Sequence, residues 1–541
     1  MTDNILTMKK PGDEQPRRAG AKQVVVVGAG LAGLTAALGL SDAGAEVQII
    51  EASTVPGGNA WMDDSAHPPL PTAGSCFRAP QKGDRIDRML GRLGLDRQWR
   101  STGSSMQVLF RTGALMANLH EVTGAFLRHP SWLLKPKVWG LTGGLFAAAL
   151  TGRPLVPAEK ALGEPIFADL YAFLARLSPG AGRFPAMPWS MDCGISRDEM
   201  EALDRMTIEE FLFDPKAVQD LPADLRPPRR MGRLVRLAVA TTLEVEGLLL
   251  SNCSAYVGLH FLVGYLYGDL VALPGGNGAV SKAILGYLLE RPTVTLRTGC
   301  RVVEVHSHAA GYSVTLRDGD RVETLTCDGV VIAAPKDAAA AMVPELSDAQ
   351  RAAMQAIAYS DYAIVNARLT EPVWTDHFGG YFIGDRPERN ARTAFCRAGG
   401  LVNASWSKLP GSRKRGGLTF LKPIAQREDQ GRLEMTAPVV LEQEARAEVI
   451  RAMKAIGADP ALLERVTLHR WPRGLVSPRP GQVAEDVFVQ ATMPFGAITF
   501  ANQDSIGVGC LESAIDAGEQ AARLLTRILD MASPDVAAKA Q

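Results

Sequence analysis

Strand-like and helix-like hydrophobic patterns follow one another near the start of the chain. Residues 24–27 read VVVV, the composition of a buried parallel strand, and residues 47–50 form a second apolar run. Between them, Leu34, Ala37 and Leu38 recur at helical spacing. This order predicts a strand–helix–strand unit, around which the rest of the chain is organised.

Helical spacing dominates the region that follows, and strand patterns return after it. The helices predicted there cover 85–99, 166–177, 196–203, 207–212, 231–250 and 247–266. A Gly-rich turn and helix at 273–289 precede strands at 294–296, 301–305, 312–317, 321–326 and 330–334, with a hairpin turn at 318–319. The last part predicts strands at 362–369 and 498–500 and helices at 441–456, 460–465 and 511–529. The return of strands indicates that the first domain is discontinuous.

The turn after the first strand reads G-x-G-x-x-G at Gly28, Gly30 and Gly33. The first glycine permits a tight turn, the second lets the backbone approach a pyrophosphate, and the third lets the helix pack on the strand. The helix that begins at Leu31 and Ala32 offers N–H donors and a positive dipole end to phosphates. The motif therefore predicts a dinucleotide site, and the alternative is an α/β turn without a ligand.

An acidic residue and a second glycine pair follow the second strand. Glu51 is placed to accept hydrogen bonds from ribose hydroxyls. The chain continues from Ala52 as ASTVPGGNA, and its pair Gly57 and Gly58 resembles the extended motif of FAD-binding flavoproteins. That resemblance implies a turn under the pyrophosphate and ribityl groups. Such families usually carry Arg or Lys directly after the pair, where this chain has Asn59.

Composition and charge narrow the range of partners. The chain has 541 residues, so we expect two domains, and its 46% hydrophobic and 21% charged residues are typical of soluble globular proteins. Lys plus Arg equals Asp plus Glu at 58 each, which gives no reason to expect nucleic acid or an anionic membrane as a partner. The seven cysteines are dispersed without a C-x-x-C pair, which favours a reducing cytoplasm and no metal site.

The chain ends and one apolar stretch bear on localisation. Residues 1–22 and 531–541 are predicted to be disordered tails. Residues 138–150 read VWGLTGGLFAAAL, which is too short to span a bilayer. Flanking Trp and Lys residues leave an interfacial helix open beside a buried one. We therefore expect a cytoplasmic protein without a transmembrane helix and leave peripheral membrane contact as an alternative.

The end of the chain carries a second informative stretch. Its run GCLESAIDAGEQAA resembles the C-terminal FAD-binding motif of the flavin-containing amine oxidase superfamily. This resemblance implies that an acidic loop residue, here Asp504, binds the ribityl chain. It also implies that the following helix points its N-terminus at the flavin, where it stabilises the negative charge of the reduced ring. The residues at the approaching positions are Leu511, Glu512 and Ala514.

Two further segments match the same superfamily. Val302 falls on the position whose backbone meets the adenine, and the run Ala73, Gly74, Ser75 resembles the loop beside the isoalloxazine ring. The resemblance implies an α/β fold with a three-layer, discontinuous Rossmann-type FAD-binding domain and an α+β substrate domain. We expect the first to comprise 23–80, 272–335 and 494–530, and the second to comprise 81–271 and 336–493.

Finer matches point in two directions. The stretches GGNA, TAGS and PFGAITFANQDS are similar to bacterial spermidine-dehydrogenase-like flavoproteins, which implies oxidation beside an amine nitrogen. Many amine oxidases carry a Lys near flavin N5, where this chain has Ile364, and an aromatic residue before the flavin-facing helix, where it has Cys510. These departures argue against rapid reaction with oxygen and against an aromatic amine cage. They also fit the carotenoid and terpenoid desaturases.

Hydride transfer from a substrate C–H bond to FAD is common to these families. The main hypothesis is therefore a FAD-dependent amine oxidase or dehydrogenase of a small molecule. The alternatives are a desaturase or isomerase of a lipid or terpenoid, and a flavin-binding scaffold without turnover. We assign no catalytic acid or base, and His260 is interpreted as a core or surface residue. Glu244 and Glu246 are candidates to meet a cationic substrate, with a solvated helix face as the alternative. The electron acceptor stays open.

Overall fold

The structure is a computed structural model that describes residues 20–103, 106–110, 127, 130–134, 155–157, 165–228, 231–267, 269–383, 398–412, 414–424 and 432–530. The apolar stretch 138–150, the tail 531–541 and residues 1–19 of the other predicted tail lie outside these residues. The prediction of peripheral membrane contact therefore stays a prediction. Among the helices of the described ranges, none is long and apolar enough to cross a bilayer.

The strands are numbered in chain order. They are β1 Gln23–Val27, β2 Glu46–Ile50, β3 Met62–Asp63, β4 Leu70–Pro71, β5 Phe77–Arg78, β6 Arg100–Ser101, β7 Met106–Phe110, β8 Leu155–Pro157, β9 Leu270–Ala272, β10 Val294–Arg297, β11 Arg301–His308, β12 Gly311–Asp318, β13 Arg321–Cys327, β14 Gly329–Ile332, β15 Tyr359–Leu369, β16 Gly379–Ile383, β17 Gly400–Asn403, β18 Gly416–Ile424, β19 Leu463–Val476 and β20 Ile498–Phe500.

The α-helices are numbered in the same way. They are α1 Leu31–Asp42, α2 Arg85–Arg92, α3 Pro165–Ala175, α4 Arg197–Asp204, α5 Ile208–Phe213, α6 Arg233–Val245, α7 Ala255–Tyr267, α8 Gly278–Leu289, α9 Lys336–Met342, α10 Asp348–Ala356, α11 Arg432–Met435, α12 Pro438–Ala455, α13 Val487–Thr492 and α14 Leu511–Ile528.

The first sheet is parallel, with the strand order β10-β2-β1-β14-β20. Along β1, Val24 and Val26 join the hydrophobic cluster under α1, whereas Val25 and Val27 join the cluster on the opposite face. Burial on both faces is what the VVVV run predicts. The five strands come from three distant parts of the chain, and the last of them, β20, lies near its end. The exact domain boundaries stay a prediction.

Two other layers enclose this sheet. Helices α1, α8 and α14 cover one face, and the antiparallel meander β11-β12-β13 lies against the other. The helices approach closely because glycines stand at the contacts. A Cβ on Gly33 would lie 2.0 Å from the Gly28 carbonyl oxygen, and one on Gly518 would lie 2.4 Å from the Ala32 carbonyl oxygen. This agrees with the predicted packing role of Gly33 and with the three-layer α/β prediction.

The second sheet is mostly antiparallel and has the order β19-β15-β18-β17-β16-β7-β8. Along β15, Val365 and Ala367 join a cluster with Ala445 and Val449 of α12, which covers this outer face. Tyr362 belongs to the opposite register of β15, on the face that looks toward the parallel sheet. The inner face of the second sheet therefore forms one wall of the space between the two sheets.

Several predicted helices differ from the structure, and the helices predicted over 85–99 and 231–250 end already at Arg92 and Val245. Residues 460–465 were expected to be helical, but a single 3₁₀ turn at Pro460–Leu462 leads into β19, because that strand pairs along most of β15. The predicted helix 247–266 begins only at Ala255, since Gly247 takes a left-handed φ of 74° that ends α6. The hairpin around 318–319 is confirmed as β12 and β13.

Candidate active site

A cavity of about 890 Å³ lies between the carboxyl edge of the parallel sheet and the inner face of the second sheet. Most residues that the sequence predicted for a cofactor line it. They are Gly28, Gly30, Leu31, Ala32, Glu51, Ala52, Gly58, Asn59, Ala73, Gly74, Ser75, Val302, Leu511, Glu512 and Ala514. The lining does not include Gly33, Gly57 or Asp504. The topology thus brings together segments that are distant in sequence, as expected at the strand ends of an open α/β sheet.

The Gly-rich turn presents an open helix end to the cavity. The N-cap of α1 is Gly30, and no side chain caps this terminus. A Cβ on Gly30 would meet nothing within 4 Å, so the space beside its backbone is open. The first N–H groups of a helix have no intrahelical partners and carry a positive partial charge. This end of the cavity therefore fits a pyrophosphate.

Glu51 and Gly57 brace the same turn. One carboxylate oxygen of Glu51 accepts the Ala29 N–H at 2.7 Å and the other accepts the Ser53 N–H at 2.8 Å. The Gly57 N–H donates to the Ala29 carbonyl oxygen at 2.8 Å, so Gly57 stabilises the turn although it does not line the cavity. Because each carboxylate oxygen has a second lone pair, Glu51 keeps capacity for ribose hydroxyls.

The loop 73–75 is held by the second Gly-rich turn, residues 275–277. The Asn277 N–H donates to the Gly74 carbonyl oxygen at 3.0 Å, and a Cβ on Gly276 would lie 2.7 Å from that oxygen. Asn277 also lines the cavity, and its buried Oδ1 has no hydrogen-bond partner among the described residues. A buried acceptor without a donor is costly in isolation, so this atom fits a ligand donor.

The N-terminus of α14 forms another part of the wall. The Ser513 N–H donates to Cys510 Sγ at 3.4 Å, and the Arg78 N–H donates to a Glu512 carboxylate oxygen at 2.7 Å. Burial raises the pKa of the Cys510 thiol, and burial followed by the nearby acids raises the pKa of Cys76 to about 12. Both thiols are therefore protonated near neutral pH and act as weakly polar walls.

Asp504 does not face the cavity, in contrast to the sequence prediction. It is fully buried and forms an ion pair with the buried Lys336, whose Nζ lies 2.5 Å from Asp504 Oδ1. Its other oxygen accepts from the Tyr359 hydroxyl at 2.6 Å and the Lys336 N–H at 3.0 Å. These donors occupy the carboxylate. The neighbouring Asn502 and Gln503 line the cavity instead.

Aromatic and acidic side chains line the half of the cavity beneath the second sheet. Tyr362 and Tyr381 line it from the sheet, Phe378 lines it from the residue before β16, and Glu246, the C-cap residue of α6, lines it as well. The Tyr362 hydroxyl donates to the Val245 carbonyl oxygen at 2.9 Å. Burial and then the Glu246 carboxylate raise the pKa of Tyr362, and burial, followed by Cys76 and Glu246, raises the pKa of Tyr381. Both phenols are therefore neutral, and Glu246 is the acidic group among them.

The structure bears on Ile364 and Cys510, the two positions at which this sequence differs from many amine oxidases. Ile364 shares a face of β15 with Tyr362 but is 1% exposed and does not line the cavity. Within the described part of the chain, no lysine from any position lines the cavity. The slow reaction with oxygen stays a prediction, and it now rests on the lack of any lining lysine and not on Ile364 alone. The inference against aromatic walls was drawn from Cys510 alone, whereas the sheet supplies Tyr362 and Tyr381 from other positions.

The aromatic residues were missed because no local signal distinguishes a strand Tyr that faces a ligand from one that faces a core. Glu246 was weighed against a solvated helix face, and only the position of α6 decided between the two. Glu244, two residues earlier, does not line the cavity. Across the described residues, no cluster of three or more His, Cys, Asp or Glu side chains could hold a metal ion.

His260 lines the cavity from α7 and packs between Phe184 and Phe261, with ring centroids 5.2 and 5.6 Å away. Its Nδ1 lies 2.8 Å from the Pro185 carbonyl oxygen, so Nδ1 carries the proton of the neutral ring. Burial lowers the pKa of His260 to about 4. The predicted interpretation as a core residue thus holds for its packing, although the ring also reaches the cavity.

We expect the His260 pKa to produce a pH-dependent loss of stability. Between pH 4 and 6.5 the unfolded chain binds a proton at this residue that the folded protein does not, so the free energy of unfolding falls as pH drops through this range. The loss at this residue approaches about 3 kcal/mol at pH 4. Urea unfolding at pH 7, 6 and 5 should show a steeper fall for wild type than for His260→Gln. Equal slopes would contradict the assignment.

Comparison with known proteins gives concordant results. The model of the family described as "Flavin containing amine oxidoreductase" matches residues 31–526. Oxidoreductase PigB of Serratia sp. (strain ATCC 39006) is 40% identical over 500 residues, which cover 92% of this chain and 74% of that protein. Phytoene dehydrogenase of Streptomyces griseus is 33% identical over 132 residues, 22% of this chain and 24% of that protein. Cyclohexylamine oxidase from Brevibacterium oxydans IH-35A superposes with a TM-score of 0.62 at 18% identity, covering 94% and 100% of the two chains.

Proposed function

Because the chain belongs to the flavin-containing amine oxidoreductase family and is therefore a FAD-dependent oxidoreductase, we propose that it removes hydride from a C–H bond next to an amine nitrogen. When bound, FAD supplies the hydride acceptor. The observation that carries the amine assignment is the position of Glu246 in the cavity, at the C-terminal end of α6.

Two sources of negative charge meet at this point. A helix C-terminus carries a negative partial charge, and the Glu246 carboxylate adds a full one. The surrounding Tyr362, Tyr381 and Cys76 are neutral, and the Glu246 carboxylate can attract an ammonium group. Aromatic faces add cation–π attraction. An amine must be neutral at nitrogen to release hydride, so the bound ammonium has to lose its proton first; burial lowers the pKa of the amine and assists this loss, whereas the Glu246 carboxylate opposes it.

We further propose how the predicted residues divide the cofactor among them. The turn from Gly28 to Ala32 would hold the pyrophosphate, Glu51 would hold the ribose and the backbone of Val302 would meet the adenine, since all of them line the cavity. The loop 73–75 and the N-terminus of α14 would hold the flavin ring. This arrangement leaves the half of the cavity around Glu246 for the substrate. Asn502 and Gln503 stand where Asp504 was expected to contact the ribityl chain.

Desaturation of a lipid or terpenoid is the second candidate. Much of the cavity lining is apolar, with Phe261, Phe378 and Leu421 among the wall residues. The partial match to a phytoene dehydrogenase supports the same alternative, although it covers a quarter of that protein or less. An extended hydrocarbon would use the apolar walls and make no use of Glu246.

Anaerobic bleaching of the flavin absorbance distinguishes the two candidates. The holoenzyme is mixed with benzylamine, putrescine and spermidine as amines, and with geranylgeraniol and phytoene as isoprenoids. We expect at least one amine to bleach the flavin. Bleaching by an isoprenoid alone would favour desaturation, and the acceptor can then be sought by adding oxygen or a quinone to the reduced protein.

Glu246→Gln is expected to slow bleaching by the active amine about ten- to a hundredfold, because the change removes the charge and keeps the shape. The FAD content and the photoreduction of the flavin should not change. Glu244→Gln is the matched control, since Glu244 lies on the same helix outside the cavity lining and should behave as wild type. Unaltered bleaching by amines in Glu246→Gln would argue against the carboxylate as the amine-binding group.

A further inference from the structure

The glycine pair Gly57 and Gly58 is not followed by the basic residue that flavoproteins with this motif usually carry there. The pyrophosphate of FAD carries two negative charges, and Glu51 adds a third to the same cavity. The helix terminus of α1 offsets only about half a charge. Flavoproteins with this motif usually supply Arg or Lys directly after the second glycine pair, but here Asn59 stands at that position and its Nδ2 donates to the Gly474 carbonyl oxygen at 2.5 Å.

The cationic side chains that line the cavity, among the residues the structure describes, are Arg78, Arg85, Arg301 and Arg473. Arg85 is held by two acids of α14, Asp516 and Glu519. These two carboxylates more than balance the single charge of Arg85 and direct it to the flank of that helix, whereas one carboxylate pairs with Arg473.

Two of the others lie at the wrong ends of the cavity. The Arg78 guanidinium lies 5.9 Å from the Phe184 ring centroid and packs against Gly264, in the half that contains His260. Arg301 precedes Val302, at the predicted adenine end. Arg301 also follows Cys300, whose N–H donates to the Glu51 carbonyl oxygen at 3.0 Å, so it belongs to the ribose side of the site.

Arg473 stands beside the glycine pair. Its neighbour Gly474 is the residue to which Asn59 donates, which ties β19 to the glycine pair. On the other side, a Cβ on Gly28 would lie 2.8 Å from the carbonyl oxygen of Ala333, the residue that follows β14. Asp337, four residues after Ala333, accepts a hydrogen bond from Arg473 Nη1 at 2.6 Å. Arg473 therefore lines the cavity where β19 meets the glycine pair, with its guanidinium on Asp337 at the start of α9 and its side chain 48% exposed.

The backbone of Arg473 is also held in an unusual conformation. Its φ is 56°, in the left-handed region, where a non-glycine residue costs of order 1 kcal/mol or more. The Arg473 N–H donates to Asp361 Oδ1 at 3.0 Å, which fixes this conformation. Such strain persists where the surrounding structure imposes it, and it concentrates at ligand-binding sites.

We propose that Arg473 is the counter-ion of the FAD pyrophosphate and takes the role of the basic residue that is absent at position 59. Asp337 acts as the positioning group, because it occupies one N–H of the guanidinium and leaves the other donors for phosphate oxygens. The inference concerns the cofactor alone, so it does not depend on the identity of the substrate.

The test measures FAD release from the holoenzyme after dilution, followed by the rise in flavin fluorescence. Arg473→Met is expected to raise the dissociation constant and the release rate about ten- to a hundredfold. Arg470→Met is the matched control, since Arg470 lies on the same strand outside the cavity lining, and its release rate should match wild type. Raising NaCl from 50 to 500 mM should accelerate release from wild type and have less effect on Arg473→Met, because salt screens this contact.

A purely structural ion pair makes a different prediction. If the role of Arg473 were only to pair with Asp337, then Asp337→Asn and Arg473→Met would release FAD equally fast, and that result would overturn the proposal. We expect Asp337→Asn to stay within about threefold of wild type, because the guanidinium remains. If Arg473→Met does not fold, Arg473→Lys answers the same question. Its shorter, monodentate cation should accelerate release by a smaller factor, and a wild-type rate there would refute the assignment.

Discussion

A Gly30→Val protein is expected to fold normally and to be purified without FAD. The backbone at Gly30 has a φ of −70° and a ψ of 172°, which valine adopts readily, and a Cβ at this position meets no atom within 4 Å. The isopropyl group would instead fill the open space beside the N-terminus of α1, where the pyrophosphate must approach the backbone. We expect a loss of at least about a thousandfold in affinity, which corresponds to about 4 kcal/mol.

The measurement is the ratio of FAD to protein after purification, together with circular dichroism to establish folding. Gly91→Val is a suitable control, since Gly91 is an exposed residue of α2 whose added side chain also meets nothing. That variant should retain FAD at the wild-type ratio. A folded Gly30→Val protein with stoichiometric FAD would show that the phosphates bind elsewhere.

Lys336→Met is expected to lower the free energy of unfolding by about 3–5 kcal/mol. Both Lys336 and Asp504 are fully buried, so removal of the ammonium leaves a carboxylate that only Tyr359 and one backbone N–H still satisfy. The ion pair joins α9 to the loop that follows β20. Because Gln503 of that loop lines the cavity, the variant should also bind FAD less tightly.

Chemical denaturation of the holoenzyme, compared with the double variant Lys336→Met with Asp504→Asn, separates the pair from its surroundings. The double variant should be more stable than Lys336→Met alone, because it no longer buries an unpaired charge. A single variant as stable as wild type would mean that the ion pair is solvated or compensated in solution.

The sites proposed for cofactor and substrate lie in two halves of one cavity. The parallel sheet and its glycine turns shape one half of the cavity, and the inner face of the second sheet with the end of α6 shapes the other. The first half presents helix N-termini and the second presents a helix C-terminus beside Glu246. This polarity suits an anionic cofactor and a cationic substrate in a single cavity.

Local sequence determined the parts of this protein that rest on short-range physics. The strand–turn–helix from residue 23 to residue 42 follows from a β-branched run, glycines at fixed spacing and helical periodicity, and the structure agrees within a residue or two. The Asp318–Gly319 hairpin and the capping box that Thr207 and Glu210 form at the N-terminus of α5 likewise need only neighbours in sequence. The cofactor assignment had the same basis, since the glycine turn, Glu51 and the last helix each carry their chemistry locally.

Tertiary structure decided which side chains meet. Asp504 has the sequence context of a cofactor ligand, but Lys336, far away in sequence, occupies its carboxylate. Glu246 has the context of a solvated helix end, yet the second sheet closes over it and turns it into a cavity residue. Arg473 lies in a strand that the sequence assigned partly to a helix, because pairing with β15 overrides the local pattern. Long-range pairing and burial fix these contacts, and neither is encoded in the spacing of nearby residues.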